Sequence, residues 1–469
     1  MKPRSVVIVG GGFAGAAVAV HMRRMAARDV SITIVEPRET IGAGLAYGTK
    51  DPAHRINVPS DAMTVLADEP RAFTNWLERT DKRGADPDGE DGSGAHYSRR
   101  RDFGAFMADL AAGKVIDIRG GVEHLRDRAV SLHPAQHGSI VTLAGGRKLQ
   151  ADRVVLATSH DRPALPFRAS PELTVHKGYF ADPWDTDSLT SVGPDDRVVV
   201  LGTGLTMIDV VSGLLERGHK GPIVALSRRG LLPNGHAAFS PVVAVPGHKH
   251  PITALGALRL ARRLARTEQA EGRDWQLAID GLRRSAATIW YGLTTTEQAK
   301  ALRRLRPFWD VHRYRIAPQL AARIQSARGR GHLEVRAAGV VGLTARESEI
   351  FVTMRARSGP TETIACDAVV NCLGPCADVT QRHDPLLQEL FASGYARPDP
   401  HRLGLDVDAA YRVLDRTGRP IPTIRAVGPL TRGAFWEVIG VPELSDHCRR
   451  LAETLVSEIF MADVQPTTL

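Results

Sequence analysis

A glycine-rich turn near the amino terminus constrains the fold more than any other feature of the chain. A β-branched run, Val6–Val9, leads into Gly10-x-Gly12-x-x-Gly15 and then into a segment with helical character. In such a strand–turn–helix unit the first glycine makes the turn, the second admits a pyrophosphate and the third packs helix on strand. The next strand ends in Glu36, at about the spacing of a ribose-binding carboxylate. A glycine turn alone would fit other α/β proteins, but this order predicts a dinucleotide-binding fold.

The same pattern returns about two hundred residues later, a period that indicates a domain duplication and not a solenoid. A second strand leads into Gly202-Thr203-Gly204 and a helix that Gly218 ends. The following strand, from Ile223, ends in Arg228 and Arg229 instead of an acid. The segments that return to each glycine turn also match, because Asp152-Arg153-Val154-Val155 mirrors Asp367-Ala368-Val369-Val370.

Between the glycine turn and the return strand, each half contains β-like segments. They are Val115–Ile118, Val122 and Ser139–Leu143 in the first half, and Glu349–Met354 in the second. The predicted fold class is therefore α/β, with two Rossmann-like dinucleotide-binding domains, each interrupted by a β-meander.

We expect residues 1–165 and 376–469 to form an FAD-binding domain and residues 166–375 to form an NADPH-binding domain. A helical insert at about 252–330 lies within the second domain and is a candidate lid or dimer surface. Its predicted helices are Ile252–Arg266, Asp274–Arg284 and Thr295–Arg304. The remaining predicted elements are a helix over Pro70–Arg79, a mobile acidic loop over 80–96, a strand over Ile424–Leu430 and a last helix over Glu443–Ile459.

Composition excludes several classes of function. The net charge is +9, from 61 Lys and Arg against 52 Asp and Glu, and no basic run is interleaved with aromatic residues, so nucleic-acid binding is not predicted. The four cysteines have neither zinc-site nor disulfide-framework spacing, which suits a reducing cytosol. We predict no metal site, and no apolar run is long enough to span a membrane. The expected location is the cytoplasm.

The two strand ends suggest two different nucleotides. Glu36 suits the free ribose hydroxyls of FAD, whereas Arg228 and Arg229 suit the ribose phosphate of NADPH. A solvated turn is the alternative for the arginine pair. In this pairing NADPH gives hydride to the flavin, and the reduced flavin passes electrons onward.

Motifs spread over nearly the whole chain resemble those of a known group. They are Gly44-Leu45-Ala46-Tyr47-Gly48-Thr49, Asn57-Val58-Pro59, Leu201-Gly202-Thr203-Gly204-Leu205-Thr206, Ser227-Arg228-Arg229-Gly230, Trp309-Asp310-Val311-His312-Arg313-Tyr314-Arg315-Ile316-Ala317-Pro318 and Gly428-Pro429-Leu430-Thr431-Arg432-Gly433. The chain resembles FAD/NAD(P)-binding flavoproteins with a glutathione-reductase-like fold. These are related to class B flavin monooxygenases, including amino-acid N-hydroxylases and a bacterial FAD-dependent urate hydroxylase. Two motifs depart from the broader pattern: Thr158-Ser159-His160 replaces a common Thr-Gly, and Gly428-Pro429 replaces a Gly-Asp.

The resemblance implies an FAD-dependent, NADPH-using monooxygenase that hydroxylates a small polar metabolite through a C4a-hydroperoxyflavin. An amino acid, an amine or a purine-type compound is the implied substrate, with O₂ as the second. Bound NADP⁺ would supply a hydrogen-bond donor to the hydroperoxide. Two alternatives stay open, namely an NADPH-dependent flavin reductase without oxygen insertion and a flavin-binding redox sensor. A homodimer is also left open.

The predicted cofactor-binding residues follow the two glycine turns and the family motifs. For FAD they are Gly10, Gly12, Phe13, Ala14, Gly15, Glu36, Pro37, Arg38, Leu45, Tyr47, Asn57, Val58, Met63, Val122, Thr158, Gly428 and Leu430. For NADPH they are Gly202, Thr203, Gly204, Leu205, Thr206, Arg228 and Arg229.

Few catalytic side chains are needed if the flavin carries the chemistry. The candidates are Asn57 at the flavin ring, His312 at the substrate and Trp436 as a wall of the pocket. For each of them a structural role, such as an Asx turn, a satisfied histidine or core packing, is the alternative. Further candidates are His236 at the substrate, Trp309 as a second wall of the flavin pocket and Glu437 as a general base. Arg313 and Arg315 are candidates for an anionic substrate or the phosphates of NADPH, with a salt-bridged interface as their alternative.

Overall fold

The computed structural model describes residues 4–25, 30–116, 118, 120–158, 161–237 and 253–461. Ser159 and His160 of the departing motif lie outside these ranges, as does most of the segment before the insert. No helix within these ranges combines the length and the apolar character needed to cross a membrane.

The amino-terminal part contributes four strands to a six-stranded sheet and forms a separate three-stranded meander. Its elements are β1 (Arg4–Val9), α1 (Phe13–Met25), β2 (Val30–Val35), α2 (Gly44–Tyr47), α3 (Ala72–Arg79), α4 (Arg100–Ala111), β3 (Glu123–Leu125), β4 (Ala129–Pro134), β5 (Ser139–Leu143), β6 (Lys148–Ala151) and β7 (Arg153–Leu156). Strands β1, β2, β3 and β7 pair in parallel, and β4–β6 form the predicted antiparallel meander.

The middle of the chain builds a second sheet and the insert. Its elements are β8 (Arg168–Ala169), β9 (Tyr179–Phe180), β10 (Val198–Leu201), α5 (Leu205–Glu216), β11 (Ile223–Ser227), α6 (Ala254–Ala270), α7 (Gln276–Arg284), α8 (Ala286–Gly292), α9 (Thr295–Arg304), α10 (Arg306–Arg313), α11 (Pro318–Gly329), β12 (Leu333–Arg346), β13 (Glu349–Ala356), β14 (Thr361–Cys366) and β15 (Ala368–Asn371). Strand β10 lies between β11 and β15, all in parallel, and β12–β14 continue the sheet as an antiparallel meander.

The carboxyl-terminal part returns to the first sheet. Its elements are α12 (Pro385–Ser393), β16 (Arg412–Leu414), β17 (Pro420–Ala426), α13 (Arg432–Phe435) and α14 (Val441–Met461). Strand β17 pairs in parallel with β7, which gives the order β16-β17-β7-β1-β2-β3. Parallel strands connected through helices confirm the predicted α/β class.

Equivalent hydrogen bonds in the two sheets support the duplication read from the sequence. Asp152, which precedes β7, accepts a hydrogen bond from the Ser5 N–H at 2.7 Å. In the same way, Asp367, which precedes β15, accepts from the Arg197 N–H at 2.8 Å. Each carboxylate therefore ties a return strand to the strand that leads into a glycine turn.

Several predicted elements differ from the observed ones. Val115, Ile116 and Ile118 are not in a strand, and the short β3 that follows Val122 joins the main sheet instead of the meander. The last strand ends at Ala426, because residues Gly428–Thr431 turn into a 3-10 helix. Helices α8, α10 and α11 were not predicted. Helices α8 and α10 span only seven and eight residues, and α11 is barely amphipathic, so none of them shows a long apolar periodicity.

The acidic loop over 80–96 is tied to the rest of the protein more firmly than its composition suggests. Asp86 is fully buried, and Arg55 donates two hydrogen bonds to it, at 2.7 and 2.9 Å. Arg99 lies 3.2 Å from the same carboxylate. A glycine- and acid-rich composition predicts a solvated loop. Composition alone cannot show that one of the acidic residues forms a buried ion pair with residues outside the loop.

Candidate functional site

The first glycine turn has the geometry that the sequence predicts. Gly10 has a φ of +103°, and its N–H donates to the Val35 carbonyl at 2.9 Å. A side chain there would lie 2.5 Å from the Ala157 carbonyl oxygen, and one on Gly15 would collide with the Gly10 carbonyl. Only glycine fits these two positions. The turn delivers the amino terminus of α1, beginning at Phe13, to the end of the sheet.

Glu36 lies where β2 ends and is buried beside this turn. One of its oxygens accepts from the Gly11 N–H at 2.8 Å, and the other accepts from the Arg38 N–H at 3.0 Å. The latter oxygen also accepts from Arg38 Nη1 at 3.3 Å, whereas the oxygen bound to the Gly11 N–H keeps a second lone pair for a ribose hydroxyl. Pro37 and Arg38 are exposed at the rim.

The segment after β2 folds back over the glycine turn. A methyl group on Gly12 would lie 3.4 Å from the Cα of Gly44, so the two backbones approach each other closely. Leu45 and Tyr47 are half-buried next to them, and the Tyr47 ring lies 4.7 Å from Phe103. Burial raises the pKa of Tyr47 to about 12, so its phenol stays neutral at physiological pH.

The carboxyl-terminal motif meets the same turn from the other side. Gly428 has a φ of +77°, and a methyl group there would lie 3.2 Å from the side chain of Ala14. Leu430 is fully buried, and the hydroxyl of Thr158 is buried with no hydrogen-bond partner among the described residues. The structure thus brings Gly428 and Ala14 together. Val122 instead packs partly buried against the core of this half.

The second glycine turn repeats the first. Gly202 has a φ of +105°, and its N–H donates to Leu226 at 2.7 Å. The hydroxyl of Thr203 lies 2.8 Å from that of Ser227. Gly204 precedes α5 without a side-chain cap, and a methyl group there would have no atom within 4 Å. The side-chain position of Gly204, at the amino terminus of α5, therefore opens onto free space that an anion can approach.

Arg228 and Arg229 follow β11 and are both exposed. Neither guanidinium forms an ion pair with a carboxylate in the described part of the chain. Arg229 instead lies 6.0 Å above the ring of Phe308, which belongs to α10 of the insert. Two unneutralised cations at this strand end fit the predicted phosphate contact.

A small cavity lies where the two halves meet. Leu45, Thr49, His54 and Arg100 line it from the first half, and Thr206 and Asp209 of α5 line it from the second. Arg100 forms an ion pair with Asp209 at 2.9 Å across this junction. The loop beside the first glycine turn therefore faces the helix that starts at the second.

His236 and Asn57 join the two halves at another point. The Nε2 of His236 lies 2.9 Å from the Asn57 carbonyl oxygen, so the imidazole is assigned as the donor. Burial lowers the pKa of His236 to about 4, and the Coulombic effect of Arg315 acts in the same direction. The imidazole is therefore neutral at physiological pH and holds the backbone of Asn57. Val58 is half-buried and Met63 is buried alongside.

The structure gives the three predicted catalytic residues separate neighbourhoods. His312 lies on the outer face of α10, where its Nδ1 lies 2.7 Å from the Phe308 carbonyl and its ring lies 5.1 Å from Trp275. Trp436 stacks on Trp290 of α8 with ring centroids 4.6 Å apart. Of the three, only Asn57 belongs to the segment after β2 that folds back over the first glycine turn. A substrate role for His312 has no support from these contacts.

Glu437 holds two insert side chains and is not a free base. It accepts from Trp309 Nε1 at 3.1 Å and from Arg313 Nε at 3.2 Å. Burial opposes the charge on Arg313, but the attraction of Glu437 and Glu443 raises the pKa of the guanidinium. Arg315 pairs in turn with Asp280. These contacts fit the salt-bridged interface that was the alternative for both arginines.

Sequence reasoning missed Trp290, Phe308 and Gln276. Gln276 accepts from Arg315 at 2.6 Å and donates to the Gly235 carbonyl at 3.0 Å, so it connects the insert to the loop of His236. None of the three belongs to a recognised motif. Their only signal was the density of aromatic and amide residues on the faces of the insert helices.

Comparison with known proteins confirms the resemblance. Residues 7–161 match a family model described as FAD-NAD(P)-binding. No curated protein matches the chain. Among solved structures, the ornithine N-hydroxylase of Kutzneria sp. 744 has a TM-score of 0.63 at 17% identity, over 98% of this chain and 100% of that one. It was solved with reduced FAD, NADP⁺ and L-ornithine.

Two further structures show the range of this fold. The L-lysine 6-monooxygenase of Pseudomonas syringae has a TM-score of 0.63 at 16% identity, over 97% of this chain and 99% of that one. The thioredoxin reductase of T. acidophilum has a TM-score of 0.53 at 15% identity, over 98% and 100%. The predicted fold with two dinucleotide-binding domains is therefore confirmed.

Proposed function

We propose that this protein is an FAD-dependent, NADPH-using monooxygenase that hydroxylates a small polar metabolite. The observation that carries the proposal is the junction of the two halves. There the loop beside one glycine turn and the first turns of α5, which follows the other, line the same cavity. Two dinucleotides bound on these turns would be directed towards each other at this junction, which is what hydride transfer requires.

The residues at the first turn fit FAD. Gly10, Gly12 and the start of α1 offer backbone and helix N–H groups to a pyrophosphate, and one oxygen of Glu36 keeps a lone pair for the ribose. We assign residues 1–165 and 376–469 to this site, because the strands of both segments pair in one sheet. FAD, when bound, accepts the hydride and supplies the oxygen chemistry.

The residues at the second turn fit NADPH. The open space in front of Gly204 leaves room for a pyrophosphate, and Arg228 and Arg229 are available for the phosphate on the ribose. We assign residues 166–375 to this site. A carboxylate that would repel this phosphate is absent from the first two residues after β11.

The insert would shelter the reaction from water. Trp290, Trp309 and Arg313 hold the segment around Trp436 and Glu437, so the insert closes over the carboxyl-terminal motif. Exclusion of water protects reactive oxygen species on a flavin from decay. The role of the chain is thus to bind, orient and enclose, and Asn57 is the polar group we place nearest the flavin.

Fold similarity favours the hydroxylase over its alternatives. TM-scores are 0.63 and 0.64 for two ornithine hydroxylase structures, against 0.53 for thioredoxin reductases. Cys366, Cys372, Cys376 and Cys448 are all free, and burial raises the pKa of Cys366 to about 12. These thiols suit a structural role better than disulfide reduction. We expect the protein to work in the cytoplasm with amines, amino acids or purines.

The test is to follow the FAD-loaded protein with NADPH, first without oxygen and then with it. We expect NADPH to bleach the flavin, and one class of small amines, amino acids or purines to accelerate NADPH oxidation while less peroxide is released per NADPH. Hydroxylated product in the mass spectrum would confirm oxygen insertion. Release of one peroxide for each NADPH oxidised, with every compound tested, would favour a reductase. A flavin that neither NADPH nor NADH bleaches would overturn the two-nucleotide mechanism.

A further inference from the structure

Phe308 is one of the large apolar residues that the structure leaves exposed, with 48% of its surface accessible. It lies on α10 of the insert, and the guanidinium of Arg229 is 6.0 Å from its ring centroid. A cation–π contact at an exposed site contributes little, so it does not by itself explain an exposed phenyl ring. The ring has area left for another partner.

The position of this pair indicates the partner. Arg229 is the second residue after β11, the strand that follows the glycine turn at Gly202. In a dinucleotide-binding fold the adenosine half of the ligand arrives at this strand end. A purine is flat and apolar on its faces, and stacking of a base on an aromatic side chain contributes substantially to affinity.

The same helix reaches the other site with its opposite side. Trp309, the next residue, and Arg313 both donate to Glu437, whose carboxylate is buried in the carboxyl-terminal segment. His312, four residues after Phe308, lies on the same side of the helix as Phe308, and its ring packs against the ring of Trp275. Helix α10 therefore spans from the strand end of one half to the closing segment of the other.

We infer that the adenine of NADPH stacks on Phe308 while Arg229 binds the ribose phosphate, so that the insert is part of the dinucleotide site. This inference rests on the proposed use of NADPH. It makes Phe308 a specificity-determining residue for dinucleotides over mononucleotides. It also links occupation of the nucleotide site to the helix that holds Glu437.

The test compares three hydride donors on the FAD-loaded full chain. NADPH and NADH both carry adenine, and reduced nicotinamide mononucleotide lacks the adenosine altogether. We expect Phe308→Ala to raise the dissociation constants for NADPH and NADH by about tenfold, as expected for loss of one base stack, and to leave that for the mononucleotide unchanged. Arg229→Gln should weaken NADPH more than NADH, because NADH lacks the phosphate.

Phe460→Ala is the matched control, because Phe460 is also exposed, at 41%, but lies on α14. It should leave all three constants unchanged. Phe308→Leu keeps an apolar side chain without the flat ring and should also weaken the dinucleotides, which covers the case that the alanine variant folds poorly. The inference would be overturned if the dissociation constant of Phe308→Ala for NADPH stayed within twofold of the wild-type value. It would also be overturned if the variant bound the mononucleotide as much more weakly as it bound NADPH.

Direct binding of adenosine 2′,5′-bisphosphate separates this inference from the proposed function. Calorimetry with this compound needs no flavin reduction. Binding that Phe308→Ala weakens supports the stacking site even if NADPH does not reduce the flavin. Binding that the variant leaves intact contradicts it even if NADPH does. Failure of the wild type to bind the compound would also overturn the inference.

Discussion

The indole of Trp436 stacks on the indole of Trp290, with ring centroids 4.6 Å apart and ring planes 20° apart. The Nε1 of Trp290 also donates to the Gly433 carbonyl at 2.7 Å. Trp436 has φ and ψ of +58° and −66°, and the Glu437 N–H donates to Phe435 at 2.7 Å, which together define a γ-turn. Such a turn costs about 1–3 kcal/mol and persists where surrounding contacts hold it.

Removing this stack should release the insert from the carboxyl-terminal segment. We expect Trp290→Ala to lower the free energy of unfolding by about 3–5 kcal/mol, as for other buried tryptophans. Trp290→Phe keeps a stacked ring but leaves the Gly433 carbonyl without its donor, which should cost about 1–2 kcal/mol. Urea unfolding curves, followed by the far-ultraviolet circular dichroism of the backbone, measure both changes in the free energy of unfolding.

Thr288→Ala is the control for the stack, because Thr288 is exposed on the same helix. Its effect should stay within about 0.5 kcal/mol. Equal midpoints for Trp290→Ala and Thr288→Ala would show that the stack does not hold the insert.

The pair of Glu437 and Arg313 gives a second prediction, because both side chains are only 4% exposed. Glu437→Gln leaves a buried guanidinium short of one negative charge and should destabilise the protein by about 3 kcal/mol. Adding Arg313→Met to it should recover part of the loss, since the double variant buries no unpaired charge. The surface pair Glu453 and Arg449 is the control, and Glu453→Gln should change stability by less than about 1 kcal/mol. A double variant less stable than Glu437→Gln alone would refute this account.

The glycine turns could be predicted from sequence because their geometry is encoded locally. Gly10 and Gly202 each follow a buried strand and precede a helix, and a positive φ at such a position needs glycine. The parallel pairing of β1 with β2 then follows from the short crossover through α1. These constraints act over a few tens of residues, so the sequence pattern alone carries them.

The contacts of the insert could not be predicted in this way. Glu437 was a candidate base because it stands shortly before the last helix, but the docking of α10 makes it the partner of Arg313. Trp290 belongs to no recognised motif. Its contact with Trp436 depends on how two segments that lie far apart in the chain pack against each other. Side-chain pairing at such an interface is set by tertiary packing, which hydrophobic periodicity does not specify.

Acid should destabilise the protein because one buried histidine and two half-buried ones stay neutral in the folded state. Burial lowers the pKa values of His21, His236 and His447 from 6.5 to about 4. Between these values the unfolded chain binds more protons than the folded one, so stability is complete above pH 6.5 and falls as the pH drops towards 4. Each histidine should account for about 2 kcal/mol at pH 5.

His236→Gln tests one of these contributions, because glutamine can still donate to the Asn57 carbonyl. The charged groups around it, Arg315, Asp280 and Arg283, stay in place. We expect the variant to lose less stability between pH 7 and pH 5 than the wild type, by about 2 kcal/mol. An unchanged pH dependence would mean that His236 does not titrate as its burial implies.

Three glycine substitutions separate folding from nucleotide binding. A methyl group on Gly15 would run into the Gly10 carbonyl, so Gly15→Ala should prevent folding. A methyl group on Gly204 meets no atom within 4 Å, and its φ of −86° suits alanine. Gly204→Ala should therefore keep the stability within about 1 kcal/mol and still weaken NADPH by tenfold or more, about 1.4 kcal/mol, by blocking the approach of the pyrophosphate.

Gly12→Ala is the equivalent variant of the first turn, with its methyl group 3.4 Å from Gly44. It should fold, because this separation is an ordinary contact, but it should be purified with little flavin, since the methyl group occupies the space that a pyrophosphate needs. Flavin absorbance per protein and the dissociation constant for NADPH report the two sites independently. Gly204→Ala should keep its flavin and lose NADPH, and Gly12→Ala should lose the flavin. The reverse pattern would exchange the two assignments, and full flavin in Gly12→Ala would remove the first turn as the FAD site.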